Sequence, residues 1–241
     1  MFIRTLFTIP VLALLALSPK DTVLDSTWQA HGGLARWQQQ RTFQYTMKGF
    51  PLSAQMQKPN TSTVDLQSRR NRIDGEGFTV VYGGKKAWGL PDDKAAGIPA
   101  RFVTLGSFYF IGMPFVFGDP GIKLQELPRK KFLGKEYRVV RATYDKGVGY
   151  TPDDDYLLYV DPESGRLKLI NHTVTELGDA KKRVAWLFDE WQEVNGLVVP
   201  KKMTFYDSWN AGKDLGKGKS FTIQNVKLST DAPDPKLYVK P

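Results

Sequence analysis

Few residues in this sequence have the types and spacing that enzyme chemistry needs. The chain has no cysteine, which excludes thiol nucleophiles and thiolate metal sites. Its two histidines, His31 and His172, are far apart in sequence, and their neighbours favour packed side chains over a metal ligand or a base. No G-x-S-x-G, H-E-x-x-H or Walker motif occurs. We therefore predict no catalytic residue, no metal site and no cofactor.

Carboxylates form two groups that could serve a reaction or hold a cation. Asp153, Asp154 and Asp155 offer oxygen ligands to a hard cation, but they lack the spaced ligands and central glycine of an EF-hand loop. We interpret them as a solvated acidic turn. The carboxylate pair of a glycoside hydrolase could come from Glu163, Glu176, Asp189, Glu190 and Glu193. Their spacing selects no pair, so a hydrolase acting on a glycan or an ester stays open as an alternative.

Residues 1–18 have the pattern of a signal peptide. Arg4 precedes an apolar run from Leu6 to Leu17, which is shorter than the roughly 20 residues of a membrane-spanning helix. Small residues at Ala16 and Ser18 suit cleavage. We expect a periplasmic or secreted protein in which residues 19–241 form a single domain. The mature chain should have no stable membrane span, and without cysteine it has neither a lipid-anchor site nor a disulfide.

The chain is basic, with a formal net charge of +9 at pH 7. A basic exported protein could favour anionic lipids or polysaccharides. The charge is dispersed, however, in short runs at 69–72, 129–131 and 181–183 that lie beside turn signals. We interpret these runs as solvated loop and edge charges, which discourage edge-to-edge pairing of strands. No nucleic acid is expected as a partner.

A short helical region follows the signal sequence. Ser26-x-x-Gln29 has the form of a capping box, and apolar residues recur at helical spacing from Leu24 to Trp37. Gly32 and Gly33 interrupt this pattern, and each glycine costs a helix about 1 kcal/mol relative to alanine. They indicate a break in the helix or a close approach of two backbones.

The rest of the sequence is mostly strand. Phe43, Tyr45 and Met47 alternate with polar residues, as expected for a strand with one buried face. Further strands are predicted at 63–69, 78–82, 85–89, 123–127, 136–144, 155–161, 167–175, 183–192, 197–206 and 220–228. The predicted fold is mainly β (α+β), a strongly curved antiparallel sheet or incomplete barrel with covering helices.

Asn195-Gly196 is the strongest hairpin signal, because a type I′ turn needs positive φ at both central residues. The alternation on its two arms predicts which side chains point inward and which outward. The inward set is Trp186, Phe188, Met203 and Phe205, and the outward set is Lys202 and Thr204.

Residues 102–117, FVTLGSFYFIGMPFVF, break the strand pattern. The segment is nearly all apolar, but Gly106, Gly112 and Pro114 interrupt it, and it is too short to span a membrane. We predict that it covers the concave face of the sheet. Two compatible functions stay open for this segment. It could fill the core as a plug, or it could form a lid over an apolar cavity.

Several segments carry a resemblance to a known superfamily. They are HGGLARW (31–37), FYFIGMPFVFGDPG (108–121), LLYVDPESGRL (157–167), FDEWQEVNGLVVPKKMTFY (188–206) and LYVKP (237–241). Together with the signal sequence and the strand meander, they resemble the LolA/LolB-like superfamily of lipoprotein-sorting proteins, and most closely an uncharacterised bacterial branch. The resemblance implies a bent antiparallel sheet closed on its concave side by helices. It also implies a concavity like the one in which the best-known members hold lipoprotein acyl chains.

The favoured hypothesis is a non-enzymatic periplasmic binding or carrier protein. Its expected partners are a lipid, an acyl chain or a lipoprotein, held in an apolar concavity, and envelope proteins. The alternatives are an exported hydrolase and an envelope scaffold whose concavity is filled by its own side chains. The predicted pocket residues are Phe43, Tyr45, Phe108, Phe110, Phe115, Trp186, Phe188, Met203 and Phe205.

Overall fold

The computed structural model describes residues 23–149, 151–175, 179–209 and 216–240, with the backbone alone at 179–181. The predicted signal peptide lies outside the described residues. The described chain forms one antiparallel sheet of 12 strands, so the predicted mainly β fold is confirmed. The strands are β1 (Thr42–Lys48), β2 (Asn60–Asp65), β3 (Asn71–Gly75), β4 (Phe78–Tyr82), β5 (Ala87–Leu90), β6 (Ile122–Phe132), β7 (Lys135–Tyr144), β8 (Tyr156–Val160), β9 (Leu167–Val174), β10 (Asp179–Val194), β11 (Leu197–Tyr206) and β12 (Lys219–Ser229).

The sheet is open, with β5 at one edge and β6 at the other. Apart from β5 and β6, strands that follow each other in sequence pair with each other. Strand β1 also pairs with β12, which joins the two halves. The chain that connects the two edge strands contains helix α4 (Ala100–Ile111) and a 3₁₀ helix at Phe115–Gly118. This connection packs across the inner face of the sheet, as predicted for residues 102–117.

The hairpin at Asn195-Gly196 is confirmed. Both turn residues have positive φ, +52° and +73°, and they join β10 to β11. Trp186 lies opposite Phe205 and Phe188 opposite Met203. These four side chains point to the large inner core, which runs from β1 to β12. The predicted register is therefore correct.

The outer face of the sheet is also partly buried, although the predicted alternation gave the strands only one buried face. Thr204 points outward but is buried, and its hydroxyl donates to Asp189 Oδ2 at 2.6 Å. Burial on this face comes from a second apolar cluster over β6–β10, which the alternation on a single hairpin could not reveal. Its buried members are Phe132, Tyr137, Val139, Tyr159, Leu169, Ala185 and Leu187.

The predicted strand at 63–69 is placed too late in the sequence. Strand β2 ends at Asp65, because Asp65 Oδ1 accepts hydrogen bonds from the backbone N–H groups of Gln67 and Ser68 and so turns the chain. Strand β3 was not predicted, since its first residues belong to the basic run at 69–72. The other two basic runs also lie within strands, in β6 and β10.

The first helical region is two short helices, α1 (Asp25–Ala30) and α2 (Leu34–Gln38). The predicted capping box is wrong: Leu24 is the N-cap and makes no side-chain cap, while Ser26 Oγ accepts a hydrogen bond from Arg138 Nη1 at 3.1 Å. The predicted break at Gly32 is correct. A Cβ at Gly32 would lie only 2.0 Å from the carbonyl oxygen of Gly196, so only glycine allows α1 to approach the β10–β11 turn.

Two smaller helical elements complete the fold. Helix α3 (Ala54–Gln57) follows β1, and its N-cap Ser53 accepts a hydrogen bond from the backbone N–H of Met56. A 3₁₀ helix at Pro235–Tyr238 packs beside β3. Within the described ranges, no helix has both the length and the apolar character needed to cross a membrane.

Candidate functional site

A cleft of about 450 Å³ lies between α4 and the inner face of β7–β11. This volume falls in the ~300–1,000 Å³ range of ligand pockets. Helix α4 supplies one wall, including Phe102, Leu105 and Gly106, and the sheet supplies the other, including Val184, Trp186 and Phe205. Leu52 and Tyr82 also line the cleft, from outside these two walls. Most of this surface is apolar side chain.

Gly106 gives the cleft part of its space. It lies in the interior of α4, where glycine is less favourable than alanine by about 1 kcal/mol. A Cβ built at Gly106 would have no atom within 4 Å outside the backbone of its own helix, so no close neighbour demands glycine there. From the sequence, Gly106 is seen only as an interruption of the apolar segment 102–117. The structure shows that its missing side chain widens a cleft.

A cluster of three aromatic side chains forms the apolar floor of the cleft. Phe110 on α4 stacks on Trp186, with ring centres 4.4 Å apart, and Trp186 contacts Phe205 at 4.6 Å. Phe110 is 8% exposed and Trp186 1%, while Phe205 is half-buried. The alternation of β10 and β11 brings Trp186 and Phe205 to the inner face, directly opposite each other.

His172 lies beside this floor with both ring nitrogens occupied. Nε2 is 3.2 Å from Trp186 Nε1, and because an indole N–H can only donate, Nε2 accepts. Nδ1 then carries the proton and donates to the Thr173 carbonyl oxygen at 2.6 Å. Burial lowers the pKa of His172 to about 4. The ring is therefore neutral at pH 7, which agrees with the prediction of a packed histidine.

Tyrosines and one carboxylate make the adjoining end of the cleft polar. Tyr156 stacks on His172, with ring centres 4.8 Å apart, and the hydroxyls of Tyr109 and Tyr144 hydrogen-bond to each other. Asp154 is only 5% exposed, so the prediction of a solvated acidic turn is wrong at this residue. Its Oδ1 accepts hydrogen bonds from the N–H and hydroxyl of Thr175 and from the hydroxyl of Thr173. These bonds tie the turn to β9.

An ion pair lies at the same end. Arg69 Nη2 is 2.5 and 2.6 Å from the two carboxylate oxygens of Asp119. Burial raises the pKa of the Asp119 carboxyl, and the Arg69 charge opposes that rise. The Arg69 guanidinium carbon lies 5.3 Å from the ring centre of Phe108, which also lines the cleft. Arg69 has a φ of +60° because it closes the turn after β2.

The structure divides the nine residues predicted to line a pocket into two groups. Phe108, Phe110, Trp186 and Phe205 line the cleft. The others are buried in the packed core and do not line it: Phe43, Tyr45, Phe115, Phe188 and Met203. The strand alternation predicted that these side chains face inward. It could not predict where helices would fill the concavity.

Most cleft residues missed by the sequence analysis are polar, among them Arg69, Tyr109, Asp119, Tyr144 and Tyr156. Tyr144 and Tyr156 could have been found from alternation, since each shares a strand face with buried apolar residues. Arg69 and Asp119 lie outside strands, so no periodicity marks them.

Of the candidate hydrolase carboxylates, none of the four that the structure describes lines the cleft. Glu163 pairs with Lys135, Asp189 accepts from Thr204, and Glu190 pairs with Lys201. Glu176 lies outside the described residues. In the part of the chain that the structure describes, no three acidic or histidine side chains are grouped as a metal site would require.

Solved structures with a similar fold are distant in sequence. A LolA superfamily protein from Nitrosomonas europaea is 15% identical, with 91% of this chain and 99% of that chain covered and a TM-score of 0.45. A DUF1329 family protein from Desulfovibrio piger is 11% identical, with coverages of 88% and 97% and a TM-score of 0.45. These similarities concern the fold alone.

Sequence comparison identifies the family of the chain, but the function of that family is unknown. No curated protein matches the chain. The model of DUF6503, described as a family of unknown function, matches residues 100–225, which include α4 and most of the cleft-lining strands. This match also agrees with the predicted uncharacterised branch. Since it covers more than half of the sequence, the chain belongs to the DUF6503 family.

Proposed function

We propose that the protein is an exported carrier that binds the apolar chain of a lipid or lipoprotein in the cleft beneath α4. The observation that carries this proposal is Gly106, a helix-interior glycine with open space where its side chain would be. Filling that space with a methyl group would favour the helix by about 1 kcal/mol. Glycine at this position is explained if the space itself has a use.

The character of the cleft walls supports an apolar ligand. Phe102, Leu105 and Phe205 are only half-buried, so apolar surface faces the cleft. Covering such surface is worth roughly 25 cal/mol per Å². Export is supported by residues 1–18, whose pattern fits a cleavable signal. N-terminal sequencing of protein from the native host should find a mature chain that begins between residues 17 and 21.

Two substitutions at Gly106 test the binding site. We would titrate the hydrocarbon fluorophore diphenylhexatriene into the wild type, Gly106→Phe and Gly106→Ala. Gly106→Phe should abolish the fluorescence gain, because the new ring occupies the cleft. Gly106→Ala is the matched control and should keep most of the binding, since a methyl group takes up little of the space. Melting curves would show that both variants fold.

The outcome separates a carrier from an envelope scaffold. Absence of binding by the wild type at high micromolar probe concentration contradicts the carrier proposal and favours the scaffold. Equal binding by the wild type and Gly106→Phe places the binding elsewhere on the protein, which also contradicts the proposed site.

A further inference from the structure

The cleft has an apolar part and a polar end, and this asymmetry bears on the head group of its ligand. The apolar part is formed by Phe102, Leu105, Phe110, Trp186 and Phe205. A methylene group takes up about the liquid volume of one water molecule, roughly 30 Å³, so about 450 Å³ suits one chain of ordinary length. Two or three acyl chains would need correspondingly more space. The cleft therefore fits a single-chain amphiphile, if it binds lipid as proposed.

The polar end presents neutral hydroxyl groups. Tyr109 and Tyr144 share one hydrogen bond between their hydroxyls, and two hydroxyls carry two protons. One proton of the pair is therefore not used in that bond. Burial raises the pKa of both tyrosines well above 10, so both stay protonated at neutral pH. The pair can give one hydrogen bond to a ligand oxygen and accept another from a ligand hydroxyl.

The charges that line the cleft do not favour an anionic head. They are three cations, Arg69, Arg101 and Lys182, and three carboxylates, Asp119, Asp154 and Asp207. The chain as a whole has a formal charge of +9, so its positive excess is not concentrated here. At the polar end, Arg69 is already bound by Asp119, and Asp154 lies buried nearby. His172 adds no charge, since burial keeps its ring neutral.

A charged head group would lose its hydration on entering this end without gaining an excess of opposite charge. A carboxylate or phosphate would also face Asp119 and Asp154, whereas an ammonium group would face Arg69. Hydroxyl or ester oxygens need only hydrogen-bond partners. We infer that the cleft selects single-chain amphiphiles whose head is uncharged and carries hydroxyl groups, with the head bound at Tyr109 and Tyr144. This inference rests on the proposed function.

A matched set of ligands tests it. Monolauroylglycerol, laurate and dodecylamine share a 12-carbon chain and differ in the charge of the head. Each ligand would be titrated into the complex of wild-type protein and diphenylhexatriene, at ligand concentrations below the critical micelle concentration of that ligand, and displacement of the probe would be measured. The glycerol ester should displace the probe at a concentration at least about tenfold lower than either charged ligand, as expected when charged groups are desolvated without a partner.

Tyrosine variants locate the preference. In Tyr109→Phe combined with Tyr144→Phe, monolauroylglycerol should bind about five- to tenfold more weakly, the loss expected for one or two hydrogen bonds, once its displacement curve is corrected for the variant's own affinity for diphenylhexatriene. Tyr206→Phe, in the outer cluster, is the matched control and should change neither. Laurate or dodecylamine binding as tightly as the ester would overturn the inference but leave the carrier proposal intact. An ester preference that survives the double variant would also overturn it. Failure of the wild type to bind the probe would instead contradict the carrier proposal.

Discussion

The inner face of the sheet has a packed end and an open end. At the packed end, Trp37 stacks on Phe115 with ring centres 4.7 Å apart, and Phe188 stacks on Trp191 at 5.0 Å. Helices α1 and α2 cover this end. At the open end, α4 covers the sheet, and the cleft remains beneath it.

The two histidines show that burial alone does not distinguish these ends. His31 at the packed end and His172 at the cleft both bond a backbone carbonyl through Nδ1 and accept a hydrogen bond at Nε2. Burial lowers the pKa of each to about 4. Yet His31 contacts Trp191 and Phe115 in a filled core, whereas His172 lines an open space. What differs is how completely neighbouring helices fill the concavity.

Truncating an aromatic residue at each end should give the largest difference. Phe115 is 1% exposed within the packed end, so Phe115→Ala leaves an enclosed cavity and should reduce the free energy of unfolding by about 3–5 kcal/mol. Phe110→Ala opens onto the existing cleft, so mainly the transfer free energy of its side chain is lost, about 2 kcal/mol. Urea unfolding of both variants measures the two losses. Equal losses would show that the cleft is as closed as the core.

A second prediction concerns pH and tests the packed end. His31 has an ordinary pKa of 6.5 when unfolded and about 4 when folded, so the unfolded chain binds more protons between these values. Stability contributed by neutral His31 is therefore complete above pH 6.5 and falls as pH falls toward 4. Between pH 7.5 and pH 5 the loss should be about 2 kcal/mol for this residue.

The variant His31→Asn isolates this effect. It removes one titrating group, and its free energy of unfolding should fall less steeply with decreasing pH than that of the wild type. His172 still titrates in the variant, so part of the slope should remain. Parallel curves for the wild type and the variant would show that the packed end does not hold His31 neutral.

Two of the hairpin turns show how much of the fold the sequence could reveal. Asn195-Gly196 and Leu133-Gly134 are both two-residue turns with positive φ at each position. The first turn can be predicted from the sequence, because asparagine and glycine tolerate positive φ. The second turn cannot be predicted in this way, because leucine is not expected at a position with a φ of +48° and 70% exposure. The strand predicted at 123–127 continues in the structure to Phe132, through the basic run at 129–131 and up to this turn.

The candidate site was less predictable than the sheet. Alternation places Trp186 and Phe205 on the inner face because side-chain direction on a strand is a local property. Whether Phe43 or Phe108 borders a cavity depends on where α1, α2 and α4 pack, which is a tertiary property. The polar end depends on turns at Arg69 and Asp154 that bring distant segments together. Local patterns carry no information on such contacts.

The smallest predicted effects come from adding one methyl group at each end, and they should have opposite signs. A Cβ at Gly118, which follows the packed aromatic residues, would lie 2.7 Å from two methyl carbons of Leu34. Gly118→Ala should therefore lower the free energy of unfolding by about 1 kcal/mol through overpacking. At Gly106 no such neighbour exists, so Gly106→Ala should raise it by up to about 1 kcal/mol through helix propensity. Thermal melts of the two variants compare them directly. A loss of stability in Gly106→Ala would mean that α4 sits closer to the sheet than the cleft requires, and the contrast between the two ends would then fail.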